Sequence, residues 1–149
     1  MLAQDDPSWG MALAMVVIIG LVLIASGALS VALAARAADG RFGRNGLAGI
    51  RTRTTRASDE AWLAAQVAGE RSTRIGGWLM GAAGVVPALG AAVVWAVADN
   101  GAGGFLLVWG VLLMIMIMVA LVPFVLGVVQ GQRAAKAVVA EANGSPPTT

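Results

Sequence analysis

Apolar residues in this chain are gathered into blocks whose limits are set by charge. Asp6 and Arg36 bound an uncharged run at 7–35, Arg74 and Asp99 bound a second at 75–98, and Asp99 and Arg133 bound a third at 100–132. Each run exceeds the roughly 20 residues that a helix, rising about 1.5 Å per residue, needs to cross about 30 Å of hydrocarbon. Lipid offers backbone N–H and C=O groups no partner, so a crossing segment must be helical. The pattern predicts an all-α integral membrane protein with three transmembrane helices at 9–35, 75–98 and 104–131. Around them lie an N-terminal segment 1–8, a loop 36–74, a link 99–103 and a tail 132–149. The end of the tail, Asn143 to Thr149, reads as disordered.

The loop divides in two. Residues 36–57 are rich in Gly and Arg with weak helical periodicity, and Asp39-Gly40 and Asn45-Gly46 mark turns. A short helix is predicted over 58–70. The Ser58 hydroxyl can cap its first free N–H groups, and Asp59 and Glu60 stand where the helix dipole favours negative charge. Ala61, Ala64, Ala65 and Ala68 share a smooth face suited to another helix, with Asp59, Gln66 and Glu70 opposite. Trp62 on the flank suits the headgroup layer.

Charge placement predicts direction. The 36–74 loop holds Arg36, Arg41, Arg44, Arg51, Arg53, Arg56, Arg71 and Arg74 against Asp39, Asp59, Glu60 and Glu70, eight positive less four negative. Arg133 and Lys136 follow the third run, while the N-terminus and the 99–103 link carry no basic side chain. The positive-inside rule then places the chain in the cell membrane with its N-terminus outside and both the loop and the C-terminus in the cytoplasm. Trp9, Trp95 and Trp109 near the outer ends and Trp78 near an inner end agree with an interfacial aromatic belt. Ala32-Leu33-Ala34 imitates a signal-peptidase site, but two Asp before the first run and its length argue against a signal peptide.

Composition narrows the chemistry. The 149 residues are 58% hydrophobic and 12% charged, with a mean hydropathy of +0.81, against about 25% charged residues in soluble domains. Cys, His and Tyr are absent, which removes disulfides, thiolate metal sites and the residue best suited to acid–base work near neutral pH. There is no nucleophile–base pair, metal cluster or phosphate-binding Gly loop, so no enzyme, cofactor or metal is expected. A net charge of +2 gives no argument for nucleic acid. No ionisable residue stands inside a span, which argues against a proton- or ion-coupled transporter.

Gly77 with Gly81, Ser26 with Ser30, and Gly127 with Gly131 form small-xxx-small pairs that let helix backbones approach closely. Pro87 and Pro123 should kink or loosen their helices. Met114, Met116 and Met118 read as lipid- or core-facing filler. Three spans bury little surface together, so a homo-oligomer or a larger protein partner is expected, and anionic headgroups should meet the loop's Arg.

The string Asn45-x3-Gly49-Ile50-Arg51-Thr52-x2-Thr55-x2-Ser58-x3-Trp62, set between two apolar runs, resembles the signature of the SdpI immunity family. The resemblance covers roughly 40–100. Its implications are a non-enzymatic role in protection from a secreted toxic peptide, and in holding an ArsR-type repressor at the membrane. By the same resemblance Asn45, Gly49, Ile50, Arg51, Thr52, Thr55, Ser58 and Trp62 form an inner-face binding site. Gly49 would allow the turn, Arg51 would offer a donor fork to a carboxylate or lipid phosphate, Thr52 and Thr55 would tie the loop, and Trp62 would anchor it. An accessory subunit of a larger membrane complex is the alternative reading.

Overall fold

The computed structural model describes residues 7–42, 49–97 and 102–144. The described residues form three α-helices and no strand: α1 (Pro7–Ala38), α2 (Asp59–Val97) and α3 (Ala102–Ala142). Their 32, 39 and 41 residues correspond to roughly 48 to 62 Å, well beyond a hydrocarbon core of about 30 Å.

Two sequence boundaries are corrected. The helix beginning at Asp59 does not stop at Glu70 but runs unbroken through 71–74 into the second apolar run, ending at Val97. Nothing at Glu70-Arg71-Ser72-Thr73-Arg74 breaks a helix. Arg74 donates to Glu70 across one turn at 3.2 Å, the orientation that supports a helix. Charge marks the limit of a hydrocarbon span, not the limit of a helix. For the same reason α3 continues past Arg133 and Lys136 to Ala142, so residues 132–142 of the predicted tail are helical. Residues 145–149 and the Asn45-Gly46 turn lie outside the described residues. Both helices also pass through their proline, at Pro87 and Pro123, without interruption.

The start of α2 follows the capping logic. The Ser58 hydroxyl accepts the Ala61 N–H at 3.1 Å. The end of α1 is closed at the Asp39-Gly40 turn, where Gly40 has φ +71. Arg41 N–H bonds Arg36 C=O and Gly40 N–H bonds Ala37 C=O, the paired bonds of a Schellman ending.

Helix α2 lies between the other two and packs along both, whereas α1 and α3 scarcely touch. Gly20 of α1 meets Gly84 of α2, and Gly27 meets Gly77. The numbering runs in opposite senses, so the pair is antiparallel. On the other side Gly69 meets Gly127, and Gly76 meets Ala120 and Phe124, again antiparallel. Each contact pair recurs seven residues on, two turns along the helix. A Cβ on Gly69 would lie 2.8 Å from the Gly127 carbonyl oxygen, and one on Gly131 would lie 2.7 Å from that of Ala65. These are backbone-to-backbone contacts. Ala61 and Ala65 are fully buried against Ala135, with Val138 and Val139 beside them.

The two glycine pairs are therefore covered within the chain, whereas Ser26 of the serine pair is exposed. Gly77 and Gly81 face α1, Gly127 and Gly131 face α2, and Ser30 donates to Ser26 C=O in its own helix at 2.8 Å. They do not by themselves call for a second copy or a docked subunit.

Large apolar side chains point outward instead. Met15, Ile18, Leu21 and Val22 on α1, and Met114, Ile115, Met118 and Val125 on α3, are all more than half exposed. An apolar surface of this extent is untenable in water and suited to lipid. Among the described residues, α1 over Ala14–Ala38 and α3 over Val108–Ala142 are long and apolar enough to cross a membrane.

Candidate loop site and cavity

Between α1 and α2 the chain folds a small, fully bonded knot onto the helices. Thr52 and Thr55 hold it by reciprocal bonds: Thr52 N–H donates to Thr55 Oγ1 at 2.8 Å, and Thr55 N–H donates to Thr52 Oγ1 at 3.2 Å. This is the reciprocity of a capping box, here closing a single turn in which Arg56 N–H reaches Thr52 C=O. The Thr55 hydroxyl donates to Ile50 C=O at 2.8 Å, and its side chain has no exposed surface.

Helix α2 supplies the other half of the fastening. Gln66, only 5% exposed, pairs with both backbone groups of Ile50: the Ile50 N–H donates to Oε1 at 3.0 Å, and Nε2 donates to the Ile50 carbonyl at 3.3 Å. One turn earlier, Trp62 is 3% exposed and its indole N–H donates to Phe42 C=O at 2.8 Å. Between these two side chains runs Gly49, with φ +112. A Cβ there would stand 2.8 Å from Gln66 Oε1 and 3.0 Å from the Trp62 ring, so the position demands glycine on both conformation and space. The Ile50 side chain enters a notch between α2 and α3. Its Cδ1 occupies the space that a Cβ on either Gly69 or Gly131 would need, 2.6 Å from each.

Two expectations are corrected here. Trp62, placed by sequence at the headgroup layer, is buried, because its N–H finds the Phe42 carbonyl and its ring covers Gly49. Gln66, placed on a polar face of the helix, is buried too, because the loop brings it an unpaired peptide. Sequence reasoning missed Gln66 as a site residue, together with Gly69 and Gly131. The available signal was spacing: Trp62, Gln66 and Gly69 recur at four and three residues on one helix face.

The knot closes one end of a cavity of about 480 Å³. Leu33, Ala34 and Ala37 of α1 form one wall, Phe124 and Val128 of α3 the other, and Gln66, Gly69, Glu70 and Thr73 of α2 the floor. Gly49 to Thr52 form the closed end, and Arg51 stands at it, exposed. Of the motif residues, Gly49, Ile50, Arg51 and Thr52 line this cavity. Thr55, Ser58 and Trp62 hold the knot without lining it, and Asn45 lies outside the described residues.

Thr55→Val keeps the side-chain shape but strands the Thr52 N–H and leaves the Ile50 carbonyl with Gln66 Nε2 as its one remaining donor. A buried group left without a partner costs about 1–3 kcal/mol. The variant is expected to lower the midpoint of unfolding when SDS is added to mixed micelles. An unchanged midpoint would remove the knot from the list of stabilising features.

Apolar helices facing outward around a polar, internally bonded loop define a helical membrane protein with a structured domain at one end of its bundle. The chain belongs to the SdpI/YfhL protein family, whose family profile matches residues 41–130, more than half of the 149. The match takes in the loop, all of α2 and most of α3, further than the 40–100 suggested by the motif alone. No curated protein and no solved structure matches the chain.

Proposed function

We propose that this chain is a non-enzymatic, three-span protein of the bacterial cell membrane. Its N-terminus lies outside, and its Arg-rich loop and C-terminus lie in the cytoplasm. Its role is immunity or signalling of the family type: protection from a toxic peptide, or retention of a regulator at the membrane. All ten basic residues of the chain fall in 36–74 or at 133 and 136, which supports the orientation. The uncharged run 75–98 is helical through Val97, which supports the second crossing.

One observation carries the site. The motif residues Gly49, Ile50, Thr52, Thr55 and Trp62 are engaged in building the loop, while Arg51 is exposed and makes no ion pair with any described residue. The fold does not need its guanidinium, which is free to meet a partner at the loop end of the cavity. Deleting the gene is expected to sensitise cells to secreted peptides of sibling strains. Arg51→Ala is expected to abolish protection with the amount of protein unchanged. Survival that does not respond to deletion, against any such peptide, would overturn the reading. Topology has its own check, because the chain lacks Cys: Ala48→Cys should resist membrane-impermeant maleimide in intact cells and react after permeabilisation.

The accessory-subunit reading drew on small-residue faces seeking a partner. Two of the three pairs, Gly77 with Gly81 and Gly127 with Gly131, are already met by α1 and α2, so the immunity or signalling reading is preferred.

A further inference from the structure

We propose that the cavity beneath the loop holds a single phospholipid whose headgroup carries both a phosphate and a primary amine. The inference rests on the membrane placement proposed above, since it requires the loop end to lie at a leaflet surface.

The polar lining is mostly self-satisfied. Thr73 donates to Gly69 C=O, Ser30 to Ser26 C=O, and Gln66 is occupied by Ile50. Two charged groups remain to greet a ligand, and they are of opposite sign. Arg51 presents a planar donor fork matched to a phosphate. Glu70 lines the same cavity. Its Oε1 takes the Arg74 donor at 3.2 Å, leaving the other carboxylate oxygen to accept from an ammonium group. Phosphate plus primary amine is the complement of that pair. An anionic headgroup without an amine would meet the Glu70 carboxylate unfavourably, and a quaternary amine has no N–H to give it.

Shape supports the same occupant. The α1 wall runs from Ser30 to Ala37, about 10 Å of helix at 1.5 Å per residue. A volume of about 480 Å³ falls among small-molecule sites, which span about 300–1,000 Å³, and suits the lipid's headgroup end with its acyl chains outside. It is too little for a peptide helix 10–12 Å across. Leu33 of α1 and Phe124 of α3 both line the cavity, and α1 and α3 scarcely touch, so the acyl chains of the proposed lipid would leave between these two helices.

Native mass spectrometry of the full chain from mild detergent tests this, with phosphatidylethanolamine, phosphatidylglycerol and phosphatidylcholine offered in equal amounts. One phosphatidylethanolamine should be retained over either competitor by about tenfold, the scale of one charge-assisted hydrogen bond. Arg51→Ala should lose the bound lipid. Glu70→Gln should keep a lipid but no longer prefer phosphatidylethanolamine to phosphatidylcholine. Circular dichroism confirms that each variant is folded, and Arg51→Lys, which keeps the charge without the fork, should fall between wild type and alanine. Equal retention of the three lipids, a preference for phosphatidylglycerol, or wild-type retention by Arg51→Ala overturns the proposal. So does a synthetic amphipathic peptide that binds one to one and displaces the lipid through Arg51. If Arg51→Ala abolishes protection while lipid selectivity is intact, the lipid site fails and the immunity reading stands. Selective lipid retention without any protection phenotype gives the converse.

Discussion

Gly77→Leu is expected to force α1 away from α2, while Gly81→Ala, one turn along, is expected to be tolerated. A Cβ at Gly77 would lie 2.8 Å from the Gly27 carbonyl oxygen and 2.8 Å from Val31 Cγ2, whereas a Cβ at Gly81 meets nothing within 4 Å. Val31 can change rotamer, but the Gly27 backbone cannot yield without moving its helix. Overpacking of a well-fitted contact costs about 1–3 kcal/mol, and more where backbone obstructs. A leucine here should reach the top of that range. Alanine for glycine inside a helix gains about 0.5–1 kcal/mol, so the control should match or exceed wild type. The midpoint of SDS-induced unfolding in mixed micelles, followed by tryptophan fluorescence, reads both. A Gly77→Leu midpoint equal to that of Gly81→Ala would show that α1 does not pack on α2 through this glycine.

Trp62→Ala is expected to release the loop while leaving the three helices formed. Deleting a buried tryptophan costs about 3–5 kcal/mol. The Phe42 carbonyl also loses its donor and Gly49 its cover. The damage should stay local, since the contacts of Trp62 with Phe42 and Gly49 join the loop to α2. Limited trypsinolysis after Arg51, Arg53 and Arg56 should then accelerate by about a hundredfold, the factor that about 3 kcal/mol of local opening implies. Helical circular dichroism should be retained. Trp62→Phe, which keeps most of the ring and loses only the N–H bond, should fall between. Unchanged cleavage in Trp62→Ala would mean that the knot is held by Gln66 and the threonines alone.

Gly49 shows how far the motif could be read. As sequence it signalled a turn, and the structure gives it a positive φ, so that inference rested on a local property of glycine. Its closeness to Gln66 and Trp62 is a different matter. Those residues are 17 and 13 positions away, and no local pattern reports which side of a helix a loop will fold against. Trp62 was misplaced for that reason. An exposed helix flank and a flank covered by a preceding loop have the same periodicity.

Glu70 to Arg74 illustrates a second kind of blindness. Charge limits a segment's entry into hydrocarbon, but it does not limit a helix, and the Glu70–Arg74 pair supports the turn it occupies. Reading one boundary as the other split α2 into a short helix and a span. The small-xxx-small pairs were visible, yet their partner was not. Gly127 can meet a second copy, another protein or the chain's own α2 with the same spacing. Only the antiparallel pairing of α2 with α3, placing Gly69 against Gly127, selects among them.

The chain by itself determined its class, the helical state of its apolar runs, the cap at Ser58, the turn at Asp39-Gly40 and the family motif. Each of these follows from hydropathy, charge or short-range backbone preference, quantities that a linear reading contains. Tertiary structure alone decided that α2 is the central helix and that glycines seat it against both neighbours. It also decided that Ile50 plugs a notch between α2 and α3, and that Arg51 and Glu70 share one cavity. These depend on which distant residues meet, and that is set by the complementary shapes of whole helix faces, which no short stretch of sequence specifies.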